Sequence, residues 1–119
     1  MSSMFHECWS LTNINLSNLK TQNVTSMSCM FSGCKSLTKI NLTNFNTKNV
    51  TSIRLMFDRC KSLNYVNLSN FNTQKVSDTA FMFSGCEVLK INNIITTDKK
   101  ILNEFNNNSA NNKGFNIFY

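Results

Sequence analysis

The residues best equipped for chemistry in this chain are five cysteines and a single histidine. Thiolates ligate metals, attack electrophiles or pair as disulfides, and spacing decides which. Cys8, Cys34, Cys60 and Cys86 stand 26 residues apart, whereas a zinc site draws on close pairs such as C-x2-C. The nearest pair is Cys29 and Cys34, which fall on different faces of a continuous helix. Disulfides between copies are not expected either. Equivalent residues on neighbouring helices lie about 8–10 Å apart, and a bridge needs Cα atoms within about 7 Å. What remains is five free thiols, with one buried as a small apolar side chain in each copy, and neither metal nor cofactor. His6 holds a polar position taken by Ser32, Asp58 and Ser84 in the other copies. No set of nucleophile, base and orienting group can be assembled around it. The expectation is a protein that is not an enzyme and has no catalytic residues.

The cysteine spacing belongs to an internal repeat. Met-Phe occurs at Met4-Phe5, Met30-Phe31, Met56-Phe57 and Met82-Phe83, and Leu11, Leu37, Leu63 and Leu89 keep the same register. The middle copies read MFSGCKSLTKINLTNFNTKNVTSIRL and MFDRCKSLNYVNLSNFNTQKVSDTAF. Three copies are complete, and the fourth decays after Leu89, where KINNI replaces the frame TKINLT. Such a period marks an array of stacked supersecondary units.

Each copy carries two periodicities. Leu37, Ile40 and Leu42 end in an alternating pair, the mark of a short strand with one buried face. Leu11, Ile14, Leu16 and Leu63, Val66, Leu68 repeat the frame, and this L-x-x-L-x-L spacing is the strand signature of leucine-rich repeats. Asn18, Asn44 and Asn70 follow, placed to satisfy backbone groups where the chain leaves the strand. In the second half Met27, Met30, Phe31 and Cys34 fall at i, i+3, i+4 and i+7, and so do Ile53, Met56, Phe57 and Cys60. This spacing predicts a short helix with its stripe in the core rather than a ligand groove. Thr25, Thr51 and Ser77 are then the expected N-caps. Val24, Val50 and Val76 would staple onto Cys29, Leu55 and Phe81, with Gly33 and Gly85 as left-handed C-caps. The predicted fold class is α/β, a right-handed leucine-rich-repeat solenoid. Its short parallel sheet, centred near Ile14, Ile40, Val66 and Ile91, would be concave and its short helices convex.

The frame MF-x-x-C-x-S-L-x-x-I-N-L-x-N-F-N-T-x-x-V resembles the BspA-type leucine-rich-repeat surface proteins of bacteria, mycoplasmas and several protists. The resemblance covers residues 4 to about 91. It implies a curved solenoid repeated on a cell surface, associated with adhesion and protein binding, and brings no catalytic residues.

The candidate binding surface is the outward face of the strands. Its columns are Asn13, Lys39 and Tyr65, then Asn15, Asn41 and Asn67, then Ser17, Thr43 and Ser69. An exposed tyrosine and lysine beside rows of amides suit a protein or glycan partner. The alternative is a solvated face whose asparagines bond to one another. Asn15, Asn23, Asn41, Asn49, Asn67 and Asn107 fit the Asn-x-Ser/Thr glycosylation pattern. Stacking about 4.8 Å apart leaves no room for a glycan on each of Asn15, Asn41 and Asn67.

The net charge of +6 comes from 12 Lys+Arg against 6 Asp+Glu. It favours acidic partners in general, but the basic groups are scattered, and no nucleic-acid partner is expected. No apolar run approaches a membrane span of about 20 residues. The N-terminus, MSSMFHEC, lacks the basic start and apolar stretch of a signal peptide. Localisation is therefore expected at the cell surface on the resemblance, and in the cytoplasm if the chain is complete as written. Residues 1–92 are read as the repeat domain and 93–119 as an Asn-rich C-terminal segment or cap. Within that segment ILNEF is expected to continue as a helix and NNNSANNKG to be flexible, and the closing Phe-Asn-Ile-Phe-Tyr is read either as a cover for the last copy or as read-through from a degraded gene. Nothing precedes the first Met-Phe but Met1-Ser2-Ser3, so the uncapped N-terminal end is expected to self-associate. The functional expectation is a non-catalytic module for protein or glycan binding and adhesion. The alternatives are an intracellular interaction scaffold or a fragment of a longer surface protein.

Overall fold

The computed structural model describes residues 1–117, with side chains through Ser109. Three short strands, β1 (Lys39–Asn41), β2 (Tyr65–Asn67) and β3 (Ile94–Ile95), form a parallel sheet in the order β1-β2-β3. An α-helix, α1 (Lys99–Ile117), follows, so the fold is a small α/β arrangement. Lys39 pairs with Tyr65, Ile40 with Val66 and Asn41 with Asn67, which is the register of the sequence repeat. The expected strand at Ile14 is absent: residues 11–16 form no strand, and Ile14 is only partly buried against the core. The expected centre at Ile91 is also displaced. Val66 pairs with Ile94 and Asn67 with Ile95, because the decayed copy holds two extra residues. A 3-10 turn over Ile91–Asn93 takes them up.

The expected short helices over 27–34 and 53–60 are turns. Met30, Ser32 and Cys34 donate backbone hydrogen bonds to Met27, Cys29 and Phe31, each three residues back. The amides between them leave the copy. Cys29, Phe31 and Gly33 donate to the carbonyls of Arg54, Met56 and Asp58 at 2.9, 2.9 and 2.7 Å. Leu55, Phe57 and Arg59 repeat this toward Ala80, Met82 and Ser84. Successive three-residue turns present the same i, i+3, i+4, i+7 stripe as a helix, and stacking satisfies the amides that a helix would bond internally. Such a path needs left-handed residues. Cys29, Leu55 and Phe81 have φ of 57–59°, and Gly33, Arg59 and Gly85 have φ of 78°, 59° and 75°.

The capping expectations change accordingly. Thr25 and Thr51 offer carbonyls to the amides of Thr51 and Ser77 in the next copy. The residue after each closes the local turn instead: Ser26 and Ser52 Oγ and Asp78 Oδ1 accept from the amides of Ser28, Arg54 and Ala80. Val50 and Val76 enter the core, whereas Cys29 and Leu55 are half-buried and left-handed rather than helical. Phe81 is 46% exposed, beneath the guanidinium of Arg54.

Between the turn row and the sheet lies a single core. Met27, Met30, Phe31, Cys34, Leu37 and Leu42 are fully buried, and so are Ile53, Met56, Phe57, Cys60, Leu63 and Leu68. Each large side chain so buried contributes roughly 1.5–3 kcal/mol. Phe5, Phe31, Phe57 and Phe83 stack with centroids 5.4, 5.6 and 5.8 Å apart, and Phe105 of α1 meets Phe83 edge-on at 5.6 Å.

The helix closes the C-terminal side. Ile101, Phe105 and Asn108 are buried on one stripe. Asp98 caps the helix by accepting from the Ile101 amide at 3.2 Å. Asn108 Oδ1 accepts from the Phe83 amide, Glu104 accepts from Thr79 Oγ1, and Lys100 donates to the carbonyls of Thr73 and Val76. The NNNSANNKG segment, expected to be flexible, lies within α1. The covering role expected of Phe115–Tyr119 concerns side chains outside the described residues.

Candidate binding face

Alternation along the strands decides what the face displays. Ile40 and Val66 point into the core, so their neighbours point out. Lys39 and Asn41 are exposed, while Tyr65 and Asn67 beside them are half-buried. Asn13, Asn15, Ser17 and Ser69 are exposed and Thr43 is half-buried. Although the first copy forms no strand, Asn13, Asn15 and Ser17 still line a shallow depression of about 420 Å³ together with Asn41, Thr43 and Asn44. Lys39 is thus aligned with Tyr65 and Asn41 with Asn67, and the residues of the first copy adjoin Asn41 and Thr43 without strand pairing.

The amide column is held from within each copy. Asn15, Asn41 and Asn67 Oδ1 accept from the amides of Ser17, Thr43 and Ser69 at 3.0, 3.0 and 3.1 Å, the asparagine turn that favours this residue where a strand ends. They do not bond to one another, as a closed solvated ladder would require. Asn67 Nδ2 reaches Tyr65 Oη at 3.4 Å, and Ser17 Oγ donates to Asn15 Oδ1 at 2.7 Å. At the far end the column meets Ile95, 37% exposed. Of the asparagines expected to bond where the chain leaves the strand, Asn70 does so, through Nδ2 to the Thr43 carbonyl of the preceding copy.

Two features were missed from sequence. The threonine of Asn-Phe-Asn-Thr is buried, and its hydroxyl bridges copies. Thr47 Oγ1 donates to the Asn72 carbonyl at 3.1 Å and accepts from the Asn72 amide at 2.7 Å, and Thr21 does the same toward Asn46. Its recurrence at one place in every copy was the signal. The second is Trp9, 57% exposed beneath the Lys35 ammonium at 5.1 Å. It stands where later copies carry Lys35 and Lys61.

The thiols are free, with Cys34, Cys60 and Cys86 buried and Cys8 and Cys29 half-buried. Each buried thiol donates to a carbonyl of the preceding copy: Cys34 to Phe5, Cys60 to Phe31 and Cys86 to Phe57, all at 3.1 Å. Burial pushes Cys34 up to about 11 and Cys86 up to about 12, and raises Cys60 as well. Such thiols are poor nucleophiles at neutral pH. His6 Nε2 lies 3.3 Å from Glu7 Oε1 at the surface. Among the described residues no three His, Cys, Asp or Glu side chains converge as metal ligands, and no helix is long and apolar enough to cross a membrane.

A family model described as "Mycoplasma protein of unknown function, DUF285" matches residues 1–117. No curated protein and no solved structure matches the chain.

Proposed function

The chain belongs to that mycoplasma family of unknown function, and from this premise we propose that it is a non-catalytic binding module. In this reading the copies form a leucine-rich-repeat solenoid like those of the BspA-type surface proteins, with the strand face as its concave side. That face binds a protein or glycan in adhesion through Asn13, Asn15, Ser17, Lys39, Asn41, Thr43, Tyr65, Asn67 and Ser69. One observation carries it: the fold leaves Lys39 and Asn41 on this face exposed, yet it aligns amides, a lysine and a tyrosine in register across copies. Polar, aromatic-bearing surfaces of this kind recognise partners by hydrogen bonds arranged around a few larger contacts.

The test uses labelled protein on intact host cells and on immobilised matrix proteins and glycans. The double variant Lys39→Glu/Tyr65→Ala changes the strand face, and Phe81→Ser changes the turn row. Loss of binding with the first variant alone supports the reading. Loss with the second alone, or with neither, overturns it. A second reading, an intracellular scaffold using the same face, is favoured by the five free thiols, since unpaired cysteines are commonest in reducing compartments.

A further inference from the structure

We propose that the strand face takes a linear acidic glycan laid across the strands, an inference that rests on the binding reading above. The first ground is the orientation of the amides. A backbone N–H can only donate, so the bonds from Ser17, Thr43 and Ser69 fix which end of Asn15, Asn41 and Asn67 is oxygen. Every Oδ1 accepts within its own copy, and on the exposed Asn15 and Asn41 the Nδ2 donors have no hydrogen-bond partner among the described residues. The column is a row of donors, and only Asn67 gives part of its capacity to a neighbour, Tyr65 Oη. A ligand that fills it must be rich in acceptors.

The second ground is charge. Lys39 stands exposed on the face beside Tyr65. Between Glu7 and Asp58 the sequence holds no carboxylate. Asp58 itself is engaged in the turn row by Arg59 at 3.1 Å and by Ser32 Oγ at 3.3 Å. A face that offers donors and a cation complements hydroxyls and carboxylates.

The third ground is shape. The depression beside Asn15 and Asn41 is shallow and lined mainly by polar groups, unlike the apolar clefts that hold drug-like molecules. The paired strands place Asn41 and Asn67 about 4.8 Å apart, Asn15 borders Asn41 in the depression, and the run ends at Ile95. That gives three consecutive donors, a footprint for a short stretch of a linear polymer, with the half-buried Tyr65 ring as an adjoining apolar surface.

The test is titration calorimetry of the full chain with hyaluronan fragments, with neutral dextran and single-stranded RNA as comparators. Asn41→Asp keeps an oxygen for the Thr43 amide, so the turn survives, but replaces the outward donor with an acceptor. Urea unfolding of the variant checks that the fold is kept. Hyaluronan should bind in a salt-sensitive way, at least tenfold more weakly to N41D and several-fold more weakly to Lys39→Gln. Equal binding of dextran, tighter binding of RNA, or N41D binding as well as the parent would each overturn the proposal. If no polymer binds while the K39E/Y65A variant still loses cell or matrix-protein binding, the glycan assignment fails and the binding reading stands. If only the turn-row variant loses binding, both fail.

Discussion

Replacing Phe57 with alanine tests the core at its most constrained point. Phe57 is fully buried and sandwiched between Phe31 and Phe83, at 5.6 and 5.8 Å. Removing a buried phenylalanine costs about 3–5 kcal/mol. Contacts on both ring faces, worth about 0.5–1.5 kcal/mol per pair beyond area, push the value to the top of that range. Phe5 supplies the internal comparison. It stacks on Phe31 at 5.4 Å but is only partly buried and has one ring partner, so Phe5→Ala should cost about half as much. Against a total stability of about 5–15 kcal/mol for a domain of this kind, F57A should remove about a third or more of it. Its melting temperature should fall by about 15–25 °C. Urea unfolding followed by circular dichroism, with the m-value held constant, measures both variants. A loss below about 2 kcal/mol for F57A, or equal losses for the two, would refute the reasoning, because burial on both faces would then not matter.

Three further outcomes follow from the geometry. Gly85→Ala should destabilise by about 1–2 kcal/mol through its φ of 75° alone. The new Cβ would also lie 3.2 Å from Arg59 Cα, so thermal melts should show at least that loss. Asn108→Leu removes the acceptor for the Phe83 amide and should cost about 1–3 kcal/mol, with hydrogen exchange at Phe83 accelerating in step. Alkylation at pH 8 should label Cys8 and Cys29 well before Cys34, Cys60 and Cys86, and mass spectrometry of digests would check the order. These raised thiols also set an alkaline limit. The fold holds them protonated while the unfolded chain ionises near 9.0, so their contribution is present below that pH. It is lost as pH climbs toward about 11 for Cys34 and about 12 for Cys86, at about 1 kcal/mol per unit for each thiol. A denaturation midpoint unchanged between pH 9 and 10.5 would contradict this.

The sequence was most informative where side chains decide structure. Alternation at Lys39–Asn41 and Tyr65–Asn67 gave the strands, their parallel register and their outward columns. The i, i+3, i+4, i+7 stripe identified Met27, Met30, Phe31 and Cys34 as core. It did not distinguish a helix from a row of turns, because the two differ in where alternate amides donate, and side-chain spacing is blind to that. The left-handed conformations at Cys29, Leu55 and Arg59 are sustained by stacking that no single copy reveals. The roles of Thr47 and of the thiols as donors between copies were hidden for the same reason. For the binding face, the columns were legible, but the orientation of each amide required its partner two residues on.

Gly33 has an effect beyond its own backbone. The left-handed column runs Glu7, Gly33, Arg59, Gly85, so a residue with a side chain alternates with one that has none. A Cβ at Gly33 would come within 3.0 Å of Glu7 Cγ and 3.3 Å of Glu7 Cα, and its absence leaves a gap one copy deep. Through that gap Arg59 Nη2 reaches Glu7 Oε1 at 3.6 Å, joining the first copy to the third. Coupling in this array therefore extends to the second neighbour along one edge, whereas the hydrogen bonds between copies among the described residues join adjacent ones. A nearest-neighbour description of its unfolding should fail at this column, and a Glu7–Arg59 double-mutant cycle should return a coupling that vanishes when Gly33 carries a side chain.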